Sequence, residues 1–163
     1  MFVIQKITQR YDPAQDRIEF NVQDAEGRVL RLWLTQRLAN RLPAPLVSWL
    51  DEDAGNTAAS GLHAWEQAAA QAQLKPDRPV EAVAANEVLV TEIDLAHGTG
   101  AYSLVLKWQD GAARLSLGAT ELRQWLGILY RLVAGAGWPT QFWPAWLAPD
   151  AVTASGAPAA AFH

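Results

Sequence analysis

The sequence predicts an α+β protein made of two βββα pseudo-repeats, with antiparallel sheets backed by helices. Three observations predict it. The stretch Val29-Leu30-Arg31-Leu32-Trp33-Leu34-Thr35-Gln36-Arg37-Leu38 has a counterpart in Arg114-Leu115-Ser116-Leu117-Gly118-Ala119-Thr120-Glu121-Leu122. Each is a short alternating strand, then a threonine, then a helical pattern. A turn signal and an earlier alternating strand precede both. Half of the 163 residues are hydrophobic, enough for one sizeable core. A single domain is therefore expected over 1–149, with repeats near 2–50 and 87–137, an inserted helix near 57–74 and a disordered tail over 150–163.

Residues 2–11 read as a first, imperfectly alternating strand, and Asp12-Pro13-Ala14-Gln15-Asp16 as a turn. From Arg17 to Gln23 the alternation is clean, with Ile18, Phe20 and Val22 on one face and Glu19 and Asn21 on the other. Asp24-Ala25-Glu26-Gly27 closes a hairpin into a strand that sends Leu30, Leu32 and Leu34 inward and Arg31 and Trp33 outward. Thr35 is placed to cap the next helix, whose apolar positions are Leu38, Leu42, Leu46, Trp49 and Leu50. Pro43 and Pro45 predict a kink, or two short helices meeting near 43–45. Asp51-Glu52-Asp53 reads as a solvated acidic loop, and the alanine-rich helix beyond it as burying Leu62 and Trp65.

Lys75-Pro76-Asp77-Arg78-Pro79 stops that helix and opens a linker to about residue 86. Residues 87–96 read as a strand and His97-Gly98-Thr99-Gly100 as a turn. The strand over 101–108 carries Tyr102, Leu104, Leu106 and Trp108 on one face. Asp110-Gly111 signals a hairpin into a strand over 113–118. Leu122, Trp125, Leu126, Leu129, Leu132 and Val133 form the stripe of a last long helix, which Gly135 and Gly137 are placed to end. This strand–strand–strand–helix layout, over about 2–50 and 87–137, resembles the Whirly and Pur-alpha type of fold. In those families βββ(β)α repeats pair, usually with four strands each. The resemblance implies open sheet faces that bind single-stranded nucleic acid.

A net charge of −4 and a pI near 5.3 argue against bulk attraction to nucleic acid or anionic lipid. Without cysteine there is no disulfide or thiolate metal site. The first residues lack the basic and apolar regions of a signal peptide, and no apolar run reaches membrane-spanning length, so a cytoplasmic protein is expected. His63, His97 and His163 have no second ligand at metal-site spacing. The GxG at His97–Gly100 is followed by a strand, whereas a dinucleotide loop needs a helix. Glu92 and Asp94 share a strand face without a catalytic partner, so neither enzyme, cofactor nor metal is expected. Arg37, Arg41, Arg123 and Arg131 read as solvated helix faces.

Two constellations remain. Trp138, Phe142, Trp143 and Trp146 crowd one proline-rich segment, which serves either as an arm that binds a protein partner or a second copy, or as a strap over its own core. Arg31, Trp33, Lys107 and Arg114, with Ser103, Ser116, Glu19 and Asn21, lie on outward sheet positions and offer cations and an aromatic for stacking on single-stranded bases. A non-catalytic protein-interaction or assembly module is the first expectation, and a single-stranded nucleic-acid binder the alternative.

Overall fold

The computed structural model describes residues 1–54, 60–81 and 86–148. Its strands are β1 (Phe2–Val3), β2 (Lys6–Asp12), β3 (Arg17–Gln23), β4 (Val29–Leu34), β5 (Glu87–Leu89), β6 (Glu92–Gly98), β7 (Ala101–Trp108) and β8 (Gly111–Gly118). Its helices are α1 (Gln36–Ala39), α2 (Pro43–Asp53), α3 (Ser60–Ala72) and α4 (Ala119–Gly135), followed by a 3-10 turn over Ala145–Leu147. The molecule is thus mixed α+β. Among the described residues no helix is long and apolar enough to cross a membrane. The expected tail, like residues 55–59 and 82–85, lies outside the described residues.

The turns follow their chemistry. The Asp12 carboxylate accepts from the backbone N–H of Ala14 at 2.8 Å and of Gln15 at 3.3 Å, and Asp16 then takes a left-handed φ of 52°. Between β3 and β4, the Asp24 carboxylate accepts from the N–H groups of Glu26 and Arg28, and Gly27 supplies a φ of 84°. Thr35 caps α1 as expected, its Oγ1 accepting from Leu38 N–H at 3.4 Å. Pro43 stands at the first turn of α2, where the missing N–H costs nothing, so the prolines divide two helices.

The strands form two four-stranded sheets, ordered β2-β3-β4-β5 and β6-β7-β8-β1. This corrects the reading of 2–11 and 87–96 as single strands. The chain changes sheets at Ile4–Gln5: Ile4 N–H donates to Arg114 C=O at 2.9 Å, while Gln5 N–H donates to Gln23 C=O at 2.8 Å. It changes again at Val90–Thr91: Val90 N–H donates to Trp33 C=O and Thr91 N–H to Lys107 C=O, both at 2.9 Å. Each break in the alternation is a side chain that stays buried, Ile4 in one case and Val90 in the other, while the backbone passes between sheets. As a result β1 lies parallel to β8, and β5 parallel to β4, beside otherwise antiparallel ladders.

One core joins both sheets. Ile18, Phe20, Val22, Leu32 and Leu34 enter it from one sheet, and Tyr102, Leu104, Leu106 and Leu115 from the other. Leu38, Leu42, Leu46 and Leu50 contribute from α1 and α2 and the linking residues between them. Helix α4 adds Leu122, Trp125, Leu126, Leu129 and Val133, with Trp125 tilted against Phe20 at 5.9 Å between ring centroids. The Gly118 N–H at its start donates to the Glu121 carboxylate at 2.8 Å. At its end Gly137, with a φ of 75°, donates to Ala134 C=O, and Trp138 N–H reaches back to Val133 C=O. That closure aims the C-terminal segment back across the helices.

Candidate functional site

Helix α3 faces the opposite way from expectation. Leu62 and Trp65 are 47% and 54% exposed, while His63, Ala64, Gln67 and Ala70 are buried. Apolar spacing alone would turn Leu62 and Trp65 inward. The polar face wins because α4 offers it hydrogen-bond partners. Gln67 donates to Arg123 C=O at 2.7 Å, and Gln124 donates to Ala70 C=O at 2.8 Å. Gly127 makes room for the two glutamines, since a Cβ there would lie 2.2 Å from Gln71 Nε2 and 2.8 Å from Gln67 Nε2.

The centre of this contact is Arg123, which the sequence places on a solvated face but which is only 5% exposed. Burial alone lowers its pKa, and the nearby Glu66 carboxylate opposes that shift. Its Nη2 donates to Glu66 at 2.6 Å and to His63 Nδ1 at 3.0 Å. With Nδ1 accepting, the His63 ring proton sits on Nε2 and is donated to Asp51. The His63 ring stacks on Trp146 at 4.7 Å, and the guanidinium lies 5.3 Å from the centre of the same indole.

Asp51-Glu52-Asp53 is therefore no loop but the end of α2, and it clamps two neighbours. While Asp51 holds His63, Asp53 accepts from the Tyr102 hydroxyl and pairs with His97 Nε2 at 3.2 Å. The His97 ring lies between Trp49 at 5.0 Å and Tyr102 at 5.1 Å, stacked on both. The Tyr102 hydroxyl and His97 hold the Asp53 carboxyl below the usual range, and burial with the Asp53 bond pushes Tyr102 up. Both histidines are occupied as structural ties. Among the described residues no group of three or more metal-ligating side chains comes together.

The C-terminal aromatics divide. Trp138, Trp143 and Trp146 are buried in the molecule's own core, and Phe142 is about half exposed. Trp138 donates its indole N–H to Asp16 at 2.7 Å and meets Tyr11 edge-on at 5.8 Å. Trp143 packs against Tyr130 at 6.0 Å. The segment lies as a strap from the β2–β3 turn to α3.

No family model, curated protein or solved structure matches this chain.

The proposed nucleic-acid residues fall on two different sheets. Arg31 and Trp33 share the outer face of β2-β3-β4-β5, where Trp33 is 5% exposed and donates its indole N–H to Glu87 at 3.3 Å. Arg31 lies 5.7 Å from that indole, pairs with Glu19 at 3.4 Å and donates to Asn21 at 3.2 Å. Glu19 and Asn21 are themselves buried, so the centre of this face is closed rather than solvated. The linker contributes to the closure, with Val80 buried and its N–H donating to Thr8 Oγ1, opposite Asn21 in the ladder.

Lys107 and Arg114 lie on the other sheet, whose outer positions Ala96, Ser103 and Ser116 form an open row of small side chains. Lys107 is held by Asp94 and by Glu92 at 3.3 Å, and the Asp94 carboxylate raises its pKa. Both carboxylates are thus held by Lys107, and counted with Arg114 the row carries no net charge. The residues that sequence reasoning missed are Leu62 and Trp65 as surface groups and Arg123 as a buried hub. The signal that could have found them was the His63/Gln67/Gln71 spacing, which marks a second, polar stripe on α3.

Proposed function

We propose that this chain is a non-catalytic assembly module whose contact surface is the outward side of α3. The observation that carries the reading is the exposure of Trp65 and Leu62 on a helix whose opposite, polar face packs against α4. A tryptophan in that position is an ordinary anchor for a protein interface. Ala69 and Ala72 continue its line at helical spacing and permit close approach of another helix. The stripe is uncharged, so a second copy of the chain is the partner that fits it best. The buried Trp138, Trp143 and Trp146 serve the fold, and Phe142 is the C-terminal aromatic that remains for contact. A cytoplasmic location accords with this reading.

Analytical ultracentrifugation over a wide concentration range tests it. The wild type should dimerise reversibly, and Trp65→Ser should be monomeric with the melting temperature of the dilute, monomeric wild type. A wild type that stays monomeric at the highest concentration would sink self-association through this helix.

We also infer that the two halves arose as a ββββα unit used twice. The matched sheet changes at Ile4–Gln5 and Val90–Thr91 support this, and so does the equivalent placement of Arg31 and Arg114 opposite β5 and β1. A leading strand before each meander brings the strand number to that usual in Whirly and Pur-alpha proteins. That topology favours single-stranded nucleic-acid binding as a second reading, on the open row beside Lys107 and Arg114. Fluorescence anisotropy with mixed-sequence single-stranded DNA and RNA at two salt concentrations tests it. Saturable, steeply salt-dependent binding lost in Arg114→Glu would support it, and a flat titration would remove it.

A further inference from the structure

Strand β2 is an outer strand of its sheet, and the hydrogen-bond pattern fixes which of its backbone groups are unused. Arg31 N–H donates to Asn86 C=O, and Trp33 C=O accepts from Val90 N–H, so these two residues of β4 direct their backbone groups toward β5. Alternation then turns Leu30, Leu32 and Leu34 toward β3, and Glu19 and Asn21 of β3 toward Arg10 and Thr8 of β2. The N–H and C=O groups of Ile7, Gln9 and Tyr11 consequently point away from the sheet. Among the described residues none of these backbone groups has a partner.

The outer strand of the second sheet, β6, has the same exposure of Ile93 and Leu95 but lies close to Leu38, Arg41 and Leu42, with a gap of only about 110 Å³. Beside β2 the gap is about 530 Å³. Its apolar wall includes Ile7, Leu117, Trp125 and Ile128, and its opposite rim carries Lys6, Lys75 and Arg78. Against these three cations stand Asp77, 3.9 Å from Lys6, and Glu121, already bonded to the Gly118 N–H. Two buried polar atoms on lining residues also lack partners, the acceptor Gln9 Oε1 and the donor Trp125 Nε1.

An open strand edge seven residues long normally invites pairing unless something blunts it. We propose that the β2 edge is a docking groove for an extended peptide segment of alternating apolar and acidic residues, which adds as a fifth strand. Its backbone pairs with Ile7, Gln9 and Tyr11, its apolar side chains enter the wall formed by Leu117, Trp125 and Ile128, and its carboxylates meet Lys6, Lys75 and Arg78. This surface is separate from the outward side of α3.

The experiment uses the full chain and a synthetic hexapeptide alternating aspartate and valine, capped at both ends. Amide hydrogen exchange is followed by NMR. Saturating peptide should slow exchange of the Ile7, Gln9 and Tyr11 amides by about tenfold or more. The same peptide with N-methyl groups on alternate amides should give no slowing, and Lys6→Glu should weaken the effect while leaving the melting temperature unchanged. No slowing at these three amides, equal slowing by a lysine–valine peptide, or slowing confined to α3 would overturn the proposal.

Discussion

His63 illustrates how a residue with no obvious partner in sequence becomes a fixed point of the structure. Its two nitrogens face Asp51 and Arg123, and its ring covers Trp146. Replacing it with leucine strands the Arg123 guanidinium, which already has one unpartnered nitrogen, in a buried site. The expected loss in urea denaturation is about 1–3 kcal/mol, the cost of an unsatisfied buried polar group. Asp53 gives a pH dependence with a definite sign. Its folded-state pKa lies below the unfolded value, so its contribution is complete above roughly 3.9 and disappears as the pH falls through the folded value. Thermal melts between pH 2 and 6 (about the carboxylate range) should show a shallower acid limb for Asp53→Asn than for the wild type. Neither tie could be read in advance. Asp51 and His63 lie on different helices, and Asp53 and Tyr102 are 49 positions apart, so no periodicity relates them.

At the scale of elements, strands and helices were legible wherever alternation or capping chemistry was undisturbed, as in β3, β4, β7 and α4. The divided α1 and α2 followed from Pro43. Orientation was harder. The apolar residues of α3 fit either face, and the choice depends on carbonyls of α4 that no sequence pattern announces. The strap was legible as a tryptophan cluster, but its direction depends on Asp16, 122 residues before Trp138. The Tyr11 hydroxyl and the Trp138 indole hold the Asp16 carboxyl below its usual range. Ending the chain after Gly137 removes Trp138, Trp143, Trp146 and Leu147 from the core at once, and circular dichroism should show an unfolded or molten product. A native-like melt of the truncated chain would count against the strap. Trp143→Ala alone should cost about 3–5 kcal/mol, whereas Trp65→Ala should stay within about 0.5 kcal/mol.

For the whole molecule, the α+β class and the shared core were legible from composition and repeated strand signals. The interleaving of the sheets was not, because it depends on two short strands concealed inside longer apolar stretches. Ile4 and Val90 occupy the crossing points, both buried. Ile4→Ala and Val90→Ala should destabilise the molecule, Ile4→Ala by about 2–5 kcal/mol, and each should melt as one cooperative unit because the core is continuous. Differential scanning calorimetry resolving two transitions would contradict that.

Parallel pairing of β1 with β8 also sets the timing of synthesis. Residues 2–3 leave the ribosome well before their partners, and their place in a sheet does not exist until residues 111–118 have followed. The open side of β4 likewise waits for residues 87–89. A nascent chain that ends between β4 and β5 therefore carries an unfinished sheet with apolar surface in view, a state prone to association before it is complete. Pairings this distant in sequence also slow the final search. Chaperone engagement on a stalled nascent chain should consequently persist until β8 has emerged and then fall.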